Sequence, residues 1–368
     1  MKTTGRKPRV ALLIGGVSGE HSISCLTAAG VLRNIDLERF DVLVIGITRS
    51  GHWVLVPAEP EALEGGHAEV PADAPGVTLV KDAANEVRLI GTNGTHAGFG
   101  VVYVILPLLH GPFGEDGTVQ GMFEMLGVRY VGSGVLASAA GMDKHMTKVV
   151  LQQAGLPVGN YVAVTPAAWQ RDRESVLAQC AKLASPLFVK PARAGSSLGI
   201  TKVDDITELA AAIETAHEHD PKVIVEEGVT AREIEVAVLA GRDGRPRVAP
   251  VGEVVMDLAP DEFYDWETKY FSHDAVSMQA PAQLPEDVAQ RIADYAAATF
   301  EALECEGLAR VDFFYTDSGE ILVNEINTMP GMTPYSMYPY MWQQAGLSYR
   351  ELVTELIELA LARPVGLR

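Results

Sequence analysis

Two short segments in the C-terminal part of the chain carry oxygen-bearing side chains suited to a divalent cation. Arg310-Val-Asp312 is followed, thirteen residues after Asp312, by the segment Glu325-Ile-Asn327. Carboxylate and amide oxygens are hard ligands, which suit Mg²⁺ that is shared with phosphates. These residue types therefore predict metal-assisted phosphate chemistry, with Asp312, Glu325 and Asn327 as the ligands.

A β-hairpin would bring the two segments together. Between them, apolar runs flank a Thr-Asp-Ser-Gly turn signal, which is typical of a hairpin. A four-residue loop, residues 317–320, would pair Thr316 with Ile321 and place Asp312 directly opposite Glu325. Because side chains alternate along a strand, the polar residues would share one face, and the other face would carry Val311, Phe313, Leu322 and Ile326. Like charges placed opposite each other are destabilising unless a cation lies between them, which favours the metal interpretation.

A glycine- and serine-rich loop could hold phosphates. Lys190-Pro-Ala-Arg-Ala-Gly-Ser-Ser-Leu-Gly199 lies between two apolar runs. Successive backbone N–H groups in such a loop form an anion-binding nest, to which Gly195, Ser196 and Ser197 would contribute. A loop of this composition is by itself more often a plain hairpin, and the preceding Lys190-Pro pair favours the phosphate interpretation. The chain contains no P-loop, and no dinucleotide-binding G-x-G-x-x-G motif follows the first predicted strand.

The next apolar run ends in two acids, in Val223-Ile-Val-Glu-Glu227. These acids could simply be exposed at the end of a strand. Alternatively, the backbone and one acid could hold an adenine edge, and Glu233 could accept a hydrogen bond from a ribose hydroxyl, as carboxylates do in dinucleotide sites. The residues alone leave both interpretations open.

Glu20 and His110 each follow a predicted buried strand. Glu20 precedes a helix beginning near His21, where the helix dipole stabilises an acid in any case. At the carboxyl end of a strand in an open α/β sheet, it could instead bind an ammonium group. His110 begins the loop His110-Gly-Pro-Phe-Gly-Glu-Asp-Gly117, a context that favours an accessible histidine over a buried structural one.

Two further segments could complete a site. Asp265-Trp-Glu-Thr-Lys269-Tyr270 interleaves aromatic residues and charges, which is typical of a lid, although the aromatics could also cover apolar neighbours. In the segment after the predicted metal ligands, Gly331 can bring a backbone N–H close to an oxyanion. Ser336 opens a predicted helix, whose N-terminus favours a carboxylate.

The composition limits the class of protein. The chain has 368 residues, enough for two or three domains, and 48% of them are hydrophobic. The net charge of −19 opposes sequence-independent binding to nucleic acid. The sequence has no run of eighteen apolar residues, so it predicts no membrane span. Cys25, Cys180 and Cys305 are far apart, which favours buried thiols in a reducing compartment and predicts a cytoplasmic protein.

Strands that alternate with helices predict a parallel sheet in the N-terminal part. The apolar runs there that read as strands are residues 10–14, 42–47 and 101–106, with helices over residues 21–35 and 118–126. Residues 58–98 read as a loop-rich insertion. Further strands are predicted over residues 187–190, 200–203, 223–227 and 233–239, and helices over residues 173–183 and 336–362.

The motifs occur in the order found in one known family. They are Gly15-Gly-x-Ser-x-Glu20, His110-Gly-x-x-Gly-Glu-Asp-Gly117, Met142-Asp-Lys144, Lys190-Pro with Gly-Ser-Ser-x-Gly199, Lys269-Tyr270, Arg310-x-Asp312 and Glu325-x-Asn-Thr-x-Pro-Gly-Met332. Over nearly its whole length the chain resembles the D-alanine–D-alanine ligases of the ATP-grasp superfamily. The resemblance implies an α/β fold of three-domain ATP-grasp architecture. Residues 1–132 would form a parallel-sheet domain on the first-substrate side, residues 133–229 the central ATP-grasp domain, and residues 230–368 the C-terminal ATP-grasp domain with the lid and metal site.

The same resemblance implies the cofactors and the residues that hold them. ATP would bind with two Mg²⁺ ions, for which Mn²⁺ can substitute, and the implied metal ligands are Asp312, Glu325 and Asn327. The implied ATP-binding residues are Lys144, Lys190, Gly195, Ser196, Ser197, Glu226, Glu227, Val229, Glu233 and Lys269. Ser196 and Tyr270 would join Glu20 in a hydrogen-bonded triad that closes the lid.

The implied substrate-binding residues are Glu20, His110, Arg310, Gly331, Ser336 and Met337. Glu20 would bind the ammonium group of a first D-alanine, and Ser336 the carboxylate of a second. Arg310 and the Gly331 N–H would stabilise the oxyanion. Met337 stands where some relatives have leucine, which would make the second pocket more adaptable.

The implied reaction joins two D-alanine molecules through an acyl phosphate and supplies peptidoglycan synthesis. The alternatives are a D-alanine–D-lactate or D-alanine–D-serine ligase, another ATP-grasp carboxylate–amine ligase, and a non-catalytic nucleotide-binding protein. The Lys269-Tyr270 pair favours the dipeptide over the depsipeptide, and the complete ligand set argues against a non-catalytic protein. A homodimer is expected from the resemblance, with no nucleic-acid or membrane partner.

Overall fold

The computed structural model describes residues 7–64, 68–92, 98–195, 198–256 and 276–366. The N-terminal elements are β1 Arg9–Gly15, α1 His21–Asn34, β2 Asp41–Ile47, β3 Trp53–Val56, β4 Val77–Lys81, β5 Val87–Gly91, β6 Gly100–Val101, β7 Val104–Pro107, α2 Thr118–Leu126 and β8 Arg129–Tyr130. Five of these strands form a sheet in the order β3-β2-β1-β7-β8, in which β1 runs parallel to β2 and β7. All residues from Val10 to Ile14 are inaccessible, as expected for a central parallel strand covered on both faces. The predicted parallel sheet is confirmed.

The prediction for residues 58–98 is wrong in part, because their described portion contains an antiparallel hairpin. β4 pairs with β5, and β5 pairs with β6. Val77, Leu79, Val87 and Leu89 join the core under the N-terminal sheet. The alternation of apolar and polar residues extends over only five positions in each strand, and it is obscured by the surrounding alanine, glycine and proline.

The central part forms an antiparallel sheet with helices on one face. Its elements are α3 Val135–Met142, α4 Lys144–Gln153, β9 Tyr161–Val164, α5 Pro166–Arg171, α6 Arg173–Cys180, β10 Leu187–Pro191, β11 Thr201–Val203, α7 Leu209–His217 and β12 Val223–Glu227. The strand order is β11-β10-β12-β9. Leu187 and Val189 pack into the hydrophobic core with α6 and α7, whereas Phe188 and Lys190 face a cleft. Strand alternation therefore directs Lys190 away from the core.

The C-terminal part is a larger antiparallel sheet. Its elements are β13 Ala231–Ala240, β14 Pro246–Val248, β15 Gly252–Met256, β16 Val276–Gln279, α8 Glu286–Ala302, β17 Leu308–Thr316, β18 Ile321–Asn327, α9 Met337–Gln344 and α10 Tyr349–Ala362. The strand order is β16-β15-β13-β17-β18, with β14 beside β13. Ile234 and Val236 of β13 share a core with Ile292 and Phe300 of α8, which covers one face of the sheet. On the other face, Ala237, Leu239 and Leu308 join a second core with α9 and α10, and the rest of that face carries polar residues that line a cleft.

The sequence analysis predicted no helix between residues 274 and 307, where α8 lies. Its buried apolar positions are Val288, Ile292, Ala296 and Phe300, which recur every fourth residue and define a single apolar stripe. The alanines between them carry no strong pattern of their own. The four-residue spacing of the apolar positions therefore indicates the helix, whereas the amino-acid composition of the segment does not.

The three cysteines are buried and free, as predicted. Burial raises the pKa of Cys25 and of Cys305 to about 12, and that of Cys180 to about 11. The thiols are therefore protonated at neutral pH. Within the described ranges, no helix is both long and apolar enough to cross a lipid bilayer.

Candidate active site

β17 and β18 form the predicted hairpin. Asp312 lies directly opposite Glu325, and Arg310 lies opposite Asn327. Residues paired across antiparallel strands point to the same side of the sheet, and so do residues two positions apart along a strand. The prediction that these four polar residues share one face is therefore confirmed.

The register nearer the turn differs from the prediction. Ile321 pairs with Tyr315 rather than with Thr316, so the turn is longer by one residue. The register shifts between Asp312 and Phe313, and Asn324 is the extra residue of the bulge on β18. This bulge restores the predicted pairing of the acids. It also places Leu322 on the polar face, contrary to the prediction.

The carboxylates on this face have cations from the chain beside them. Nε and Nη2 of Arg310 donate to the two oxygens of Asp312, at 2.7 and 2.6 Å. Nζ of Lys144 lies 3.4 Å from Oε2 of Glu325. Glu235 of β13 is opposite Asp312 on its other side, and its Oε2 is 3.3 Å from Nε of Arg310. Burial opposes the charge of Arg310, but these carboxylates raise its pKa well above the ordinary value.

Asp312, Glu325 and Asn327 fit a Mg²⁺ site by the chemistry of their donors. The two carboxylates are direct neighbours across the hairpin, and Oδ1 of Asn327 is turned so that it accepts from the Met329 N–H at 3.2 Å. In the part of the chain that the structure describes, no three Asp, Glu, His or Cys side chains converge on one point. A cation here would therefore take its remaining ligands from phosphates or water, as Mg²⁺ commonly does.

The opposite wall carries a buried cluster of two lysines and one acid. Glu226 of β12 lies 2.6 Å from Nζ of Lys190 and 2.8 Å from Nζ of Lys148. Burial alone would raise the pKa of Glu226, but the two ammonium groups lower it to about 2. Burial alone would lower the pKa of Lys190, but the charge of Glu226 raises it. Glu226 and Lys190 are therefore both charged at neutral pH.

Between these two walls lies a cleft of about 520 Å³. It is lined by most of the predicted ATP-binding residues, namely Lys144, Lys190, Gly195, Glu226, Glu227, Val229 and Glu233, together with Asp312 and Glu325. Phe188 and Ile200 add apolar surface to the same cleft. The fold therefore places lysines, carboxylates and an apolar patch around one space large enough for a nucleotide.

Two loops approach Glu20 closely. A Cβ atom added to Gly111 would lie 2.6 Å from Oε2 of Glu20, and one added to Gly195 would lie 3.3 Å from it. Both loops can approach this closely because glycine has no side chain. The Gly111 N–H also donates to Oε2 of Glu115 at 2.6 Å. Burial and then the charge of Glu20 raise the pKa of Glu115 to about 8.

His110 is buried, with 6% of its surface exposed, so the prediction of an accessible histidine is wrong. Its Nε2 lies 3.1 Å from Oγ1 of Thr27, and the ring makes a hydrogen bond with the Met329 backbone. Burial lowers the pKa of His110, which keeps the ring neutral at neutral pH. The side chain ties the N-terminal loop to the segment that follows β18.

The segment after β18 positions Gly331 against Ser336. A Cβ atom added to Gly331 would lie 2.9 Å from Oγ of Ser336. This hydroxyl accepts from the Thr333 N–H at 3.1 Å and lies 2.8 Å from Oγ1 of Thr333. Ser336 precedes α9, as predicted. The side chain of Met337 is buried and packs against Gly252, and its part in the second substrate pocket stays a prediction.

Four of the predicted site residues, Ser196, Ser197, Lys269 and Tyr270, lie outside the described residues. The lid predicted over residues 265–270 lies outside them as well. The triad of Glu20, Ser196 and Tyr270 therefore stays a prediction.

Three residues of the site were not singled out from the sequence: Glu115, Lys148 and Glu235. Lys148 is four residues after Lys144 on α4, so the helical period already placed both on one face. Glu235 is two residues after Glu233 on a strand, which likewise placed both on one side. Glu115 was part of a quoted motif but had no assigned role.

The two antiparallel sheets enclose a cleft lined by both lysines and carboxylates, an arrangement typical of the nucleotide-dependent ligases of the ATP-grasp class. Models of the D-ala D-ala ligase N-terminus and C-terminus match residues 9–133 and 150–358. The chain belongs to the D-alanine–D-alanine ligase family.

Curated relatives match almost the whole chain. A D-alanine–D-alanine ligase of Pseudarthrobacter chlorophenolicus is 52% identical, covering 98% of this chain and 96% of its own length. One of Kineococcus radiotolerans is also 52% identical, covering 98% and 99%.

Solved structures have the same fold. A D-Ala:D-Ser ligase from Enterococcus faecalis has a TM-score of 0.80 and 34% identity, covering 96% of this chain and 100% of its own. The D-alanine–D-alanine ligase from Coxiella burnetii has a TM-score of 0.80 and 32% identity, covering 96% and 94%. The predicted fold class is confirmed.

Proposed function

We propose that this enzyme joins two D-alanine molecules to D-alanyl-D-alanine, with conversion of ATP to ADP and phosphate, for peptidoglycan synthesis. The observation that carries the proposal is the pairing of Asp312 with Glu325 in the same cleft as Lys144 and Lys190. That arrangement supplies oxygen ligands for a cation and ammonium groups for phosphates. The relatives that are about half identical to the chain are named as enzymes of this reaction.

The nucleotide would lie in the cleft between the central and C-terminal sheets. Glu226, Glu227 and Val229 are at its β12 end, where the adenine would bind, and Glu233 would accept from the ribose. Lys144, Lys190 and the loop that contains Gly195 would contact the phosphates. Ser197 and Lys269 are proposed ATP contacts from the motif match alone. The domain boundaries at residues 132/133 and 229/230 are likewise proposed.

Two Mg²⁺ ions, or Mn²⁺ in their place, would be held by Asp312, Glu325 and Asn327. When bound, they would neutralise charge on the phosphates. Cationic side chains of the protein already lie beside the two carboxylate ligands. Arg310 holds Asp312 through two hydrogen bonds, and Lys144 stands beside Glu325, so the ligands are oriented before a cation binds.

A carboxylate is a poor electrophile, so the first D-alanine must be activated. One of its carboxylate oxygens would form a bond to the γ-phosphorus while the bond to ADP breaks, which gives an acyl phosphate. The amine of the second D-alanine would then attack the acyl carbon, lose a proton and expel phosphate. Glu20 would hold the first ammonium group, with Ser196 and Tyr270 as the rest of the triad.

The tetrahedral intermediate carries a negative oxygen that needs donors. Arg310 and the Gly331 N–H would stabilise it, and one such donor typically contributes about a hundred- to a thousandfold in rate. Ser336, which opens α9, would bind the second carboxylate at the helix N-terminus. His110 would act by fixing the loop of Gly111 and Glu115 rather than by touching substrate.

Two further proposals concern the state of the enzyme. We expect a homodimer, which light scattering after size exclusion would test directly. We expect a cytoplasmic location, where ATP and reduced thiols are available.

The test of the function is phosphate release with ATP, Mg²⁺ and D-alanine, run in parallel with L-alanine, D-lactate and D-serine. Of the four compounds tested singly, we expect only D-alanine to support phosphate release. The product should have the mass of D-alanyl-D-alanine. Preference for D-lactate or D-serine added to D-alanine would support the alternative ligases, of which the D-serine type has a solved relative of the same fold. Turnover with a different amino acid would indicate another carboxylate–amine ligase. The absence of ATP turnover in all mixtures would overturn the proposed function.

A further inference from the structure

Lys148 is an almost fully buried lysine in the wall of the nucleotide cleft. It lies on α4, one turn after Lys144, and 3% of its side chain is exposed. Its Nζ is 2.8 Å from Oε1 of Glu226 and 5.8 Å from the centre of the Tyr161 ring. A buried ammonium group is unfavourable unless it is paired, so this lysine must have a partner that stays charged.

Glu226 is shared by two lysines that differ in position. Lys190 contacts Oε2 at 2.6 Å with 14% of its side chain exposed, and it also experiences the charges of Glu325 and Glu233. Lys148 contacts Oε1 from deeper in the protein. The local cluster of two ammonium groups and one carboxylate has one positive charge in excess. That charge can be balanced by an anion that enters the cleft, such as a nucleotide phosphate.

Lys190 is the more exposed of the two lysines, so a nucleotide phosphate in the cleft would reach it first. If Lys190 turns toward the phosphates, Glu226 loses one of its two cations. A buried carboxylate with no cation would take up a proton. A protonated carboxyl group would also donate a hydrogen bond, and would therefore lose its preference for an amino group on the base.

We infer that Lys148 is a positioning residue that keeps Glu226 in place and ionised while Lys190 is released to the phosphates. Glu226 can then accept a hydrogen bond from the adenine amino group. Lys148 would thereby contribute to the choice of adenine over a base with a carbonyl oxygen at the same position. This inference rests on the proposed function, because it needs a nucleotide in this cleft.

The experiment compares Lys148→Met, which keeps the length of the side chain without its charge, with Lys148→Arg, which keeps the charge. KM for the nucleotide and kcat are measured with ATP and with inosine triphosphate, at saturating D-alanine. For Lys148→Met we expect about a tenfold higher KM for ATP, kcat within about threefold, and a preference for ATP over inosine triphosphate reduced by about fivefold or more, the scale of one hydrogen bond. Lys148→Arg should restore most of the preference.

Lys222→Met is the matched control. Nζ of Lys222 lies 2.6 Å from Oδ2 of Asp143, and both side chains are largely buried, so the variant also leaves a buried acid without its lysine. It should lower the thermal midpoint but leave the preference for ATP unchanged. If Lys148→Met does not fold, Lys148→Gln takes its place with the same expected results.

A double variant separates positioning from general destabilisation. With Glu226→Gln there is no carboxylate for Lys148 to hold, so adding Lys148→Met should not reduce the preference for ATP any further. An unchanged preference in Lys148→Met, or an equal loss in Lys222→Met, would overturn the role of Lys148. Failure of the wild-type enzyme to turn over ATP with D-alanine would instead overturn the proposed function.

Discussion

Asp312 and Glu325 lie directly opposite each other on hydrogen-bonded antiparallel strands, and each has a cation of the chain beside it. Arg310 donates to both oxygens of Asp312, and Lys144 lies 3.4 Å from Glu325. Repulsion between the two acids is therefore relieved within the protein itself. The pair suits a metal site by its ligand chemistry. Its negative charge is already balanced by Arg310 and Lys144, so the charge alone does not require a metal ion.

Glu325→Gln tests this site. We expect phosphate release to fall by about two orders of magnitude or more, because a ligand that helps to neutralise phosphate charge is lost. The fold should persist, because the change removes one of two negative charges that face each other across the hairpin. The Mg²⁺-dependent rise in thermal midpoint with ADP should disappear. Glu320→Gln, in the exposed turn of the same hairpin, should retain both properties, and full activity in Glu325→Gln would remove the metal assignment.

Arg310→Lys tests the oxyanion role. Lysine keeps the charge but not the planar fork, so we expect kcat to fall by about a hundredfold with little change in KM for ATP. Arg232→Lys is the matched control, because Arg232 on β13 makes the same fork with Glu253, at 2.8 and 2.6 Å. It should have wild-type kcat. An equal loss of kcat in both variants would mean that the two-hydrogen-bond contact of arginine with a carboxylate maintains the structure of the sheet and has no direct role in the reaction.

Gly331→Ala tests the second-substrate site. The added methyl group would lie 2.9 Å from Oγ of Ser336 and would force the hydroxyl away from Thr333. We expect KM for the second D-alanine to rise about tenfold, equivalent to one hydrogen bond, with KM for the first nearly constant. Initial rates over a wide range of D-alanine concentration separate the two constants. Gly121→Ala on α2, where an added methyl group meets nothing within 4 Å, should leave both unchanged.

Glu226→Gln should alter how stability depends on pH. The pKa of Glu226 is lowered from 4.5 to about 2 in the folded protein, so its contribution is present above pH 4.5 and is lost as the pH falls toward 2. We expect the unfolding free energy of the wild type to fall more steeply over this range than that of Glu226→Gln. Urea titrations at several pH values measure the slopes. Glu227→Gln, at the neighbouring half-buried position, should follow the wild type; equal slopes in all three proteins would contradict the burial and pairing of Glu226.

Much of the site could be predicted from local pattern. The alternation of side chains in Arg310-Val-Asp312 and Glu325-Ile-Asn327 was enough to place four polar residues on one face. The prediction that Asp312 lies opposite Glu325 was correct, but it assumed a turn that is one residue too short. The bulge at Asn324 compensated for the error, and a bulge has no signal in this sequence.

Other features depended on distant parts of the chain. His110 was expected to be accessible because it stands before glycine and proline, yet Thr27 and the Met329 backbone bury it. The side chain of Met337 packs against Gly252 of β15, which is distant from it in the sequence. In both cases the neighbours come from other elements, which local composition does not reveal.

The sequence by itself determined the periodicities, the order of the motifs and the chemical types of the ligands, because these depend on residues close together in the chain. Only the tertiary structure decided which charges meet. Lys148 on a helix faces Glu226 on a strand, Gly195 approaches Glu20, and Glu235 shares Arg310 with Asp312. The energy of a charge depends on distance and burial, and both are set by the packing of elements that are far apart in sequence.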